Sequence, residues 1–248
     1  MTPLARFQEN TPVHTTSDTE ALKRAAAERA AEWIRDGMTL GLGTGSTVRH
    51  LLNVIAERRA AGEWAGVVGV PTSEDTASRS RALGIPLATL DERPRVDLTI
   101  DGADEVDPQL RLIKGLGAAL LREKIVAAAS RALVIVADES KVVDVLGTRA
   151  PLPVEVDPFG AAIQPDFLRS LGGEPRLRER EGKPVVTDGG NLIYDCRFPD
   201  GIADPEALET ELALRPGVVE TGLFLGMATA VVIAGSRGVQ VRHREGAR

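Results

Sequence analysis

Apolar and polar positions along the chain follow two alternating patterns, one typical of buried strands and one typical of helices. Short apolar runs without polar alternation predict strands at 38–42, 66–70, 96–100, 132–137 and 230–234. Apolar residues at helical spacing predict helices at 17–36, 48–59, 72–84 and 118–130. Strands that are apolar throughout are buried on both faces. The pattern therefore predicts an α/β protein with a mostly parallel sheet and helices on both faces.

The pattern changes after about residue 149. Pro151–Val156 predicts an edge or linking strand, because proline is tolerated there. The pattern then predicts a helix at 161–171 and strands at 176–180 and 184–187. It next predicts a hairpin turn at 188–191 that leads into a strand at 192–195, a helix at 205–214 and a strand near residue 218. We expect a loose tail at 1–16, a main α/β domain at 17–149 and 229–248, and an inserted α+β domain at 150–228.

Composition and charge narrow the classes of function. The 248 residues are 43% hydrophobic and 27% charged, as in globular proteins, and the net charge of −6 argues against a nucleic-acid partner. A single cysteine, Cys196, fits a reducing cytosol, so we expect a cytoplasmic protein. The longest nearly uncharged apolar stretch, 222–235, is shorter than the roughly 20 residues of a membrane span, and the N-terminus lacks the apolar region of a signal peptide. Three scattered histidines and a lone cysteine argue against a zinc site.

A glycine-rich turn, Gly41-Leu-Gly-Thr-Gly-Ser-Thr47, joins the first predicted strand to the following helix. Its glycines let the backbone approach a ligand, and its hydroxyls and helix N-terminal N–H groups favour an anion. Ser46 replaces the third glycine of the dinucleotide fingerprint, and no Walker sequence follows. The turn favours a single phosphate over a dinucleotide, with a plain tight turn as the alternative.

Acidic residues follow the predicted strand 96–100. Asp101 and Asp104 lie just beyond its carboxyl end, where ligands bind in open parallel sheets. Their carboxylates can accept hydrogen bonds from several hydroxyl groups, which suits a polyol. A solvated acidic turn and a magnesium site are the alternatives. The magnesium site is disfavoured because Lys114 can supply the positive charge.

Glu123 lies on the predicted helix 118–130, where its neighbours at positions 119, 120, 126 and 127 are all apolar. Partial removal from water raises the pKa of a carboxyl group and makes it a stronger base. The alternative is that Glu123 reaches solvent. Lys141 follows the strand 132–137 and joins the candidates at this edge of the sheet. Lys23, on the first helix, fits either the site or a simple surface charge.

Seven segments, taken together, resemble the ribose-5-phosphate isomerases of the A type over roughly residues 19–242. The segments are 41–47, 101–105, 114–124, 137–141, 151–156, 187–191 and 216–219. The resemblance implies a Rossmann-like main domain and a smaller inserted ferredoxin-like domain. It also implies an aldose–ketose isomerase of the non-oxidative pentose phosphate pathway. Such an enzyme interconverts D-ribose 5-phosphate and D-ribulose 5-phosphate through an enediolate, without metal or cofactor, as a homodimer or homotetramer.

The resemblance also implies residue roles. Glu123 corresponds to the proton-transferring base, and Asp101, Asp104 and Lys114 to the catalytic residues that hold the sugar's oxygens. The implied substrate-binding residues are Lys23, Thr44, Gly45, Ser46, Thr47, Asp101, Gly102, Ala103, Asp104, Lys114, Gly115, Leu116, Gly117 and Lys141. The sequence departs from the family in two places. Leu116 lies where many relatives have glycine, in the expected pocket, and Gly190 replaces a common asparagine.

Three other functions remain as alternatives. A non-catalytic sugar-phosphate sensor would need a DNA-binding helix-turn-helix, for which we expect no room in the 16 residues before Ser17. Acyl transfer of the CoA-transferase type would use Glu123 to form a thioester and would need a CoA-sized crevice. A NAD-dependent oxidoreductase is disfavoured by Ser46.

Overall fold

A computed structural model describes residues 16–244, which form six α-helices and fifteen strands. The predicted tail lies outside these residues except for Thr16, where the first helix begins, and residues 245–248 also lie outside. The helices are α1 (Thr16–Ala31), α2 (Ser46–Ala60), α3 (Glu74–Ala82), α4 (Leu120–Ala128), α5 (Gln164–Ser170) and α6 (Pro205–Ala213). None of them is both long and apolar enough to cross a membrane.

The strands range from two to six residues in length. In chain order they are β1 (Thr39–Leu42), β2 (Val68–Pro71), β3 (Leu98–Gly102), β4 (Glu105–Val106), β5 (Leu112–Ile113), β6 (Leu133–Asp138), β7 (Leu152–Val156), β8 (Glu174–Leu177), β9 (Glu179–Arg180), β10 (Lys183–Pro184), β11 (Leu192–Arg197), β12 (Val218–Thr221), β13 (Leu223–Phe224), β14 (Ala230–Gly235) and β15 (Gly238–His243).

The main sheet has the order β15-β14-β6-β3-β1-β2. All neighbouring strands are parallel except β14 and β15. The chain runs outward from β1 to β2, then crosses to the other side of β1 to add β3, β6 and β14. The strand order therefore reverses between β1 and β3, and ligands of open α/β sheets bind outside the carboxyl ends of the strands at such a switch point.

The two faces of this sheet are both covered, which explains the apolar runs without polar alternation. On one face, residues of α1 and α2 such as Ala30 and Leu51 pack against Leu40 and Val134. On the other face, Ile135 packs with residues that include Phe224 of β13. The structure confirms the predicted α/β class with helices and a mostly parallel sheet.

A second sheet is antiparallel and has the order β12-β7-β11-β8, with α5 after β7 and α6 after β11. This is the βαββαβ arrangement of ferredoxin-like units. A short third sheet has the order β13-β5-β4 and is antiparallel. Neither the third sheet nor β15 was expected from the sequence, because two-residue strands carry no period and β15 is mostly exposed. The domain limits at 150 and 228 stay a prediction.

The prediction of an edge or linking strand at Pro151–Val156 is wrong, because β7 lies inside its sheet between β12 and β11. Pro153 is tolerated there because the carbonyl group that would accept from an N–H at this position, that of Gly222, has another donor. The Pro153 carbonyl accepts from the Gly222 N–H at 2.7 Å, and the Gly222 carbonyl accepts from Lys114 N–H at 2.9 Å. The donor that proline cannot supply to Gly222 thus comes from Lys114.

Candidate active site

A cavity of about 460 Å³ opens at the carboxyl ends of β1, β3 and β6. Most of the predicted site residues line it: Lys23, Thr44, Gly45, Ser46, Thr47, Gly102, Ala103, Asp104, Lys114, Gly115, Gly117, Glu123 and Lys141. Asp101 lies behind this lining, and Leu116 does not line the cavity. The chain turns at Gly115 with φ of 108°, and the Leu116 side chain is 44% exposed. Gly115 and Gly117 face the cavity, and the residue between them does not.

The glycine-rich turn fits tightly against β3. A Cβ on Gly43 would lie 2.1 Å from Oδ1 of Asp101, so only glycine lets this carboxylate approach the backbone. The same oxygen accepts a hydrogen bond from Thr44 N–H at 3.0 Å. The Thr44 hydroxyl bonds Thr72 at 2.8 Å and Ser73 at 2.9 Å, at the start of α3. The turn is thereby fixed to both neighbouring elements.

The N-terminus of α2 opens into the cavity. Its first residue follows Gly45, which has φ of 124° and offers no side-chain cap, and its first turn has no acidic residue. The N–H groups of such an N-terminus, with the partial positive charge of a 15-residue helix, favour an anion. Lys141 and Lys23 line the same cavity. Lys23 donates to Glu20 at 2.7 Å.

Lys114, the residue after β5, is 2% exposed and lies between two carboxyl groups. Its Nζ atom is 2.6 Å from the Gly102 carbonyl oxygen, 3.0 Å from Oδ2 of Asp101 and 3.4 Å from Oε1 of Glu123. Burial alone lowers the pKa of Lys114, but the charges of Asp101 and Glu123 outweigh it and raise that pKa overall. Lys114 is therefore a permanent cation at the base of the cavity.

Glu123, on the first turn of α4, is 3% exposed, which confirms the expected removal from water. Its Oε2 atom has no hydrogen-bond partner among the described residues. Burial and then the charge of Asp101 raise the pKa of Glu123 to about 8, although Lys114 acts in the opposite direction. A carboxyl group with such a pKa is a stronger base than an ordinary glutamate and can still lose its proton near neutral pH.

The two aspartates have different surroundings. Asp101 is 1% exposed, and it accepts hydrogen bonds from Thr44 N–H and Gly102 N–H in addition to its contact with Lys114. Burial raises the pKa of Asp101, while Lys114 and the two N–H groups lower it. Asp104 lines the cavity, and its Oδ2 atom accepts from Leu116 N–H at 2.9 Å. Asp101 thus holds Lys114, and Asp104 faces the cavity.

Six further residues line the cavity that the sequence analysis did not name as site residues. They are Leu22, Val136, Ala137, Asp138, Glu139 and Ser140. Leu22 precedes Lys23, and the others lie in or beside the segment 137–141 that carries Lys141. The signal that could have found them is the end of the apolar strand β6, because all parallel strands of one sheet end at the same edge. No group of three or more His, Cys, Asp or Glu residues within 16–244 is arranged to hold a metal ion.

A mostly parallel α/β sheet with a buried carboxyl group of raised pKa and a helix N-terminus facing one cavity is typical of enzymes that act on small phosphorylated substrates. The family model of ribose 5-phosphate isomerase A (phosphoriboisomerase A) matches residues 68–238 of this chain. The chain belongs to the ribose-5-phosphate isomerase A family and is an aldose–ketose isomerase.

The similarity extends over almost the whole chain. A ribose-5-phosphate isomerase A of Roseiflexus sp. (strain RS-1) is 55% identical over 93% of this chain and 99% of that relative. One from Gloeobacter violaceus is 55% identical over 90% and 96%. The solved ribose 5-phosphate isomerase of Plasmodium falciparum has a TM-score of 0.88 at 38% identity, over 91% and 99% of the chains. A D-ribose-5-phosphate isomerase solved in complex with phospho-erythronic acid has a TM-score of 0.88 at 40% identity, with the same coverage.

Proposed function

We propose that this chain interconverts D-ribose 5-phosphate and D-ribulose 5-phosphate with Glu123 as the single base. The Glu123 carboxylate takes the proton from C2 of the open-chain aldose, and the electrons of that bond move toward the C1 carbonyl oxygen. The Glu123 carboxyl group, whose proton exchanges with solvent in part of the turnovers, then protonates the resulting cis-enediolate at C1, and the hydroxyl proton passes from O2 to O1. One base is sufficient because C1 and C2 are adjacent.

Lys114 stabilises the negative charge that develops on the substrate oxygens. Its ammonium group has three N–H donors, and three oxygens surround it in the free protein. The contact with Glu123, at 3.4 Å, is the longest of the three. A substrate oxygen can replace this contact, whereas the Gly102 carbonyl and Asp101 keep the ammonium in place. A fixed cation of this kind stabilises an oxyanion without having to reorganise.

Asp104 orients the sugar hydroxyls and assists ring opening. It lines the cavity, and one of its oxygens is held by Leu116 N–H. Asp101 is enclosed by Thr44, Gly102 and Lys114, so its contribution is to fix Lys114. The different surroundings of the two aspartates support this division of roles.

The phosphate binds at the N-terminus of α2, with Lys141 and Lys23 near it. This end of the substrate does not react. Its binding energy holds C2 against Glu123, so that part of the entropic cost of orientation is met before the proton moves. A cavity of about 460 Å³ is within the usual range for small-molecule sites.

The observation that carries the proposal is the buried contact between Glu123 and Lys114 at the base of this cavity. The test is incubation with ribose 5-phosphate in deuterium oxide with EDTA, beside Glu123→Gln as the inactive control. We expect ketose with deuterium at C1 from the natural chain only. Loss of activity in EDTA would contradict the metal-independent reaction, and turnover by the control would exclude Glu123 as the base.

A second test uses phospho-erythronic acid, with which one of the solved relatives forms a complex. Its planar carboxylate resembles the two oxygens of an enediolate, and its phosphate suits the N-terminus of α2. We expect it to compete with ribose 5-phosphate and to raise the melting temperature. A homodimer or homotetramer and a cytoplasmic location stay predictions, and light scattering at defined protein concentration tests the first.

A further inference from the structure

We propose that the turn at 187–191 is a positioning element for the isomerisation, which fixes α4 relative to the glycine-rich turn. The inference rests on the proposed role of Glu123. None of the residues 187–191 lines the cavity of the candidate active site. The turn belongs to the antiparallel sheet, yet it contacts α4 directly and is connected to the glycine-rich turn through α3.

The turn is rigid within its own sheet. Thr187 N–H donates to the Asn191 carbonyl at 2.9 Å, and Gly190 N–H donates to the Thr187 carbonyl at 2.9 Å. Glu155 of β7 is 1% exposed, and its Oε1 atom accepts from the Thr187 hydroxyl at 2.8 Å and from the Asn191 amide at 2.9 Å. One buried carboxylate therefore holds both ends of the turn.

The first contact of the turn reaches the glycine-rich turn through α3. Oδ2 of Asp188 accepts from Glu74 N–H at 2.8 Å, at the first residue of α3. The preceding residue, Ser73, caps α3 by accepting from Thr76 N–H at 3.1 Å. The Ser73 hydroxyl also accepts from the Thr44 hydroxyl at 2.9 Å. Asp188 therefore binds the backbone of Glu74, the residue next to Ser73, whose side chain holds Thr44.

The second contact reaches α4. Nη2 of Arg122 donates to the Asp188 carbonyl at 3.2 Å, and Nη1 lies 3.6 Å from Oδ2 of the same residue. Nη1 also donates to Oε1 of Glu74 at 2.9 Å, which closes a triangle of three elements. Arg122 immediately precedes Glu123. Glu155 lines a small cavity together with Ala118 and Ala119, which precede α4.

These contacts matter for the reaction because the substrate is bound at one end and reacts at the other. The glycine-rich turn and α2 hold the phosphate, and α4 carries the base, so their separation decides the distance from C2 to Glu123. A displacement of about 1 Å can lower a rate by up to about 10²-fold. Asp188 links α4 to α3, and α3 in turn holds Thr44 of the glycine-rich turn. Asp188 does not line the substrate cavity.

The test is the kinetics of Asp188→Ala and Asp188→Asn. Because the contacts are partly exposed, we expect Asp188→Ala to lower kcat by about tenfold, with KM changed by less than about threefold. Asp188→Asn keeps an oxygen that accepts from Glu74 N–H and loses the charge that faces Arg122. We expect its kcat to lie between those of the natural chain and Asp188→Ala. If Asp188→Ala and Asp188→Asn both have the kcat of the natural chain, the proposal is overturned.

The pH profile of kcat/KM separates positioning from loss of structure. Asp188 does not contact Glu123 or Lys114, so we expect the midpoint to stay where it is in the natural chain. If the substitution only loosened α4 and admitted water, the pKa of Glu123 would fall toward the ordinary glutamate range. A fall in kcat together with such a shift of the midpoint overturns the proposal. If Asp188→Ala does not fold, the kcat and midpoint of Asp188→Asn decide by the same criteria.

Two controls complete the experiment. Asp166→Ala removes an aspartate of the same α+β unit, which pairs with Arg169 on the protein surface, and we expect natural kinetics. Glu123→Gln distinguishes the two proposals. If Glu123→Gln is inactive while both Asp188 variants turn over normally, only the positioning role fails. If Glu123→Gln is active, the proposed role of Glu123 as the base fails, and the positioning role that rests on it fails with it.

Discussion

Two buried glutamates, Glu105 of β4 and Glu123 of α4, show how a fold uses the same side chain in two ways. Glu105 is fully buried, and its two oxygens accept three backbone hydrogen bonds. Oε1 accepts from Arg149 N–H at 2.6 Å and Ala150 N–H at 2.7 Å, and Oε2 accepts from Gly147 N–H at 2.5 Å. Its carboxylate fixes the chain just before β7.

Glu123 is nearly as buried, but it has one cation at 3.4 Å, and its Oε2 atom has no hydrogen-bond partner within residues 16–244. The difference teaches that burial alone does not make a carboxyl group reactive. Hydrogen-bond donors around Glu105 replace the water that it loses, whereas Glu123 lacks such replacement. A group left in this condition takes up a proton readily, which is what a base for carbon acids must do.

The largest expected effect is on catalysis. Glu123→Gln keeps the shape of the side chain and removes the proposed base, so we expect kcat to fall by at least about 10²-fold with KM little changed. The measurement is steady-state turnover of ribose 5-phosphate. Glu105→Gln is the matched control, since it makes the same chemical change at a buried site outside the cavity. Comparable loss of kcat in the two folded variants would break the distinction between the two glutamates.

The second prediction concerns stability. Glu105→Gln replaces one accepting oxygen by an amide group that faces a backbone N–H, so a buried donor loses its partner. We expect a loss of about 1–3 kcal/mol in the free energy of unfolding. For a chain of this size, each kcal/mol corresponds to about 2–4 °C in melting temperature. An unchanged melting temperature at pH 7 would mean that the three short hydrogen bonds contribute nothing.

The third prediction is the pH dependence of the reaction. The proposed base, Glu123, can accept a proton only when it is deprotonated, and its pKa is raised to about 8. We therefore expect kcat/KM to rise with pH and to level off above about 8. Below that value it should fall about tenfold for each pH unit. A midpoint near the ordinary glutamate range would indicate that water reaches Glu123 in solution.

The smallest expected effect is on the stability of Glu123→Gln. Because the pKa of Glu123 is raised on folding, the folded state binds a proton that the unfolded state releases above about 4.5. The free energy of unfolding of the natural chain therefore falls as pH rises from about 4.5 to about 8. The glutamine variant has no carboxyl group at position 123, so this decrease is absent from it. We expect the variant to melt higher by several degrees at pH 8, with a smaller difference at pH 5. Lower melting at pH 8 would contradict this.

Several parts of the fold and site could be predicted because they depend on local or periodic features. The apolar runs predicted the parallel strands, and the carboxyl ends of these strands predicted the edge at which Asp101, Asp104 and Lys141 lie. The apolar neighbours of Glu123 on its helix predicted its burial. The edge position of β7 was wrong, because Pro153 is accommodated by Lys114 N–H, a donor 39 residues earlier in the chain.

The sequence by itself identified the candidate catalytic residues and the kind of element on which each lies, because helical and strand periods act over a few residues. Only the tertiary structure decided that Lys114 lies between Asp101 and Glu123, that Asp104 rather than Asp101 faces the cavity, and that Leu116 turns away from it. These facts depend on contacts between elements that are far apart in the sequence, and the number of residues between two elements does not determine their distance in space. The pKa of Glu123 belongs with them, since it depends on the burial and charges that packing brings together.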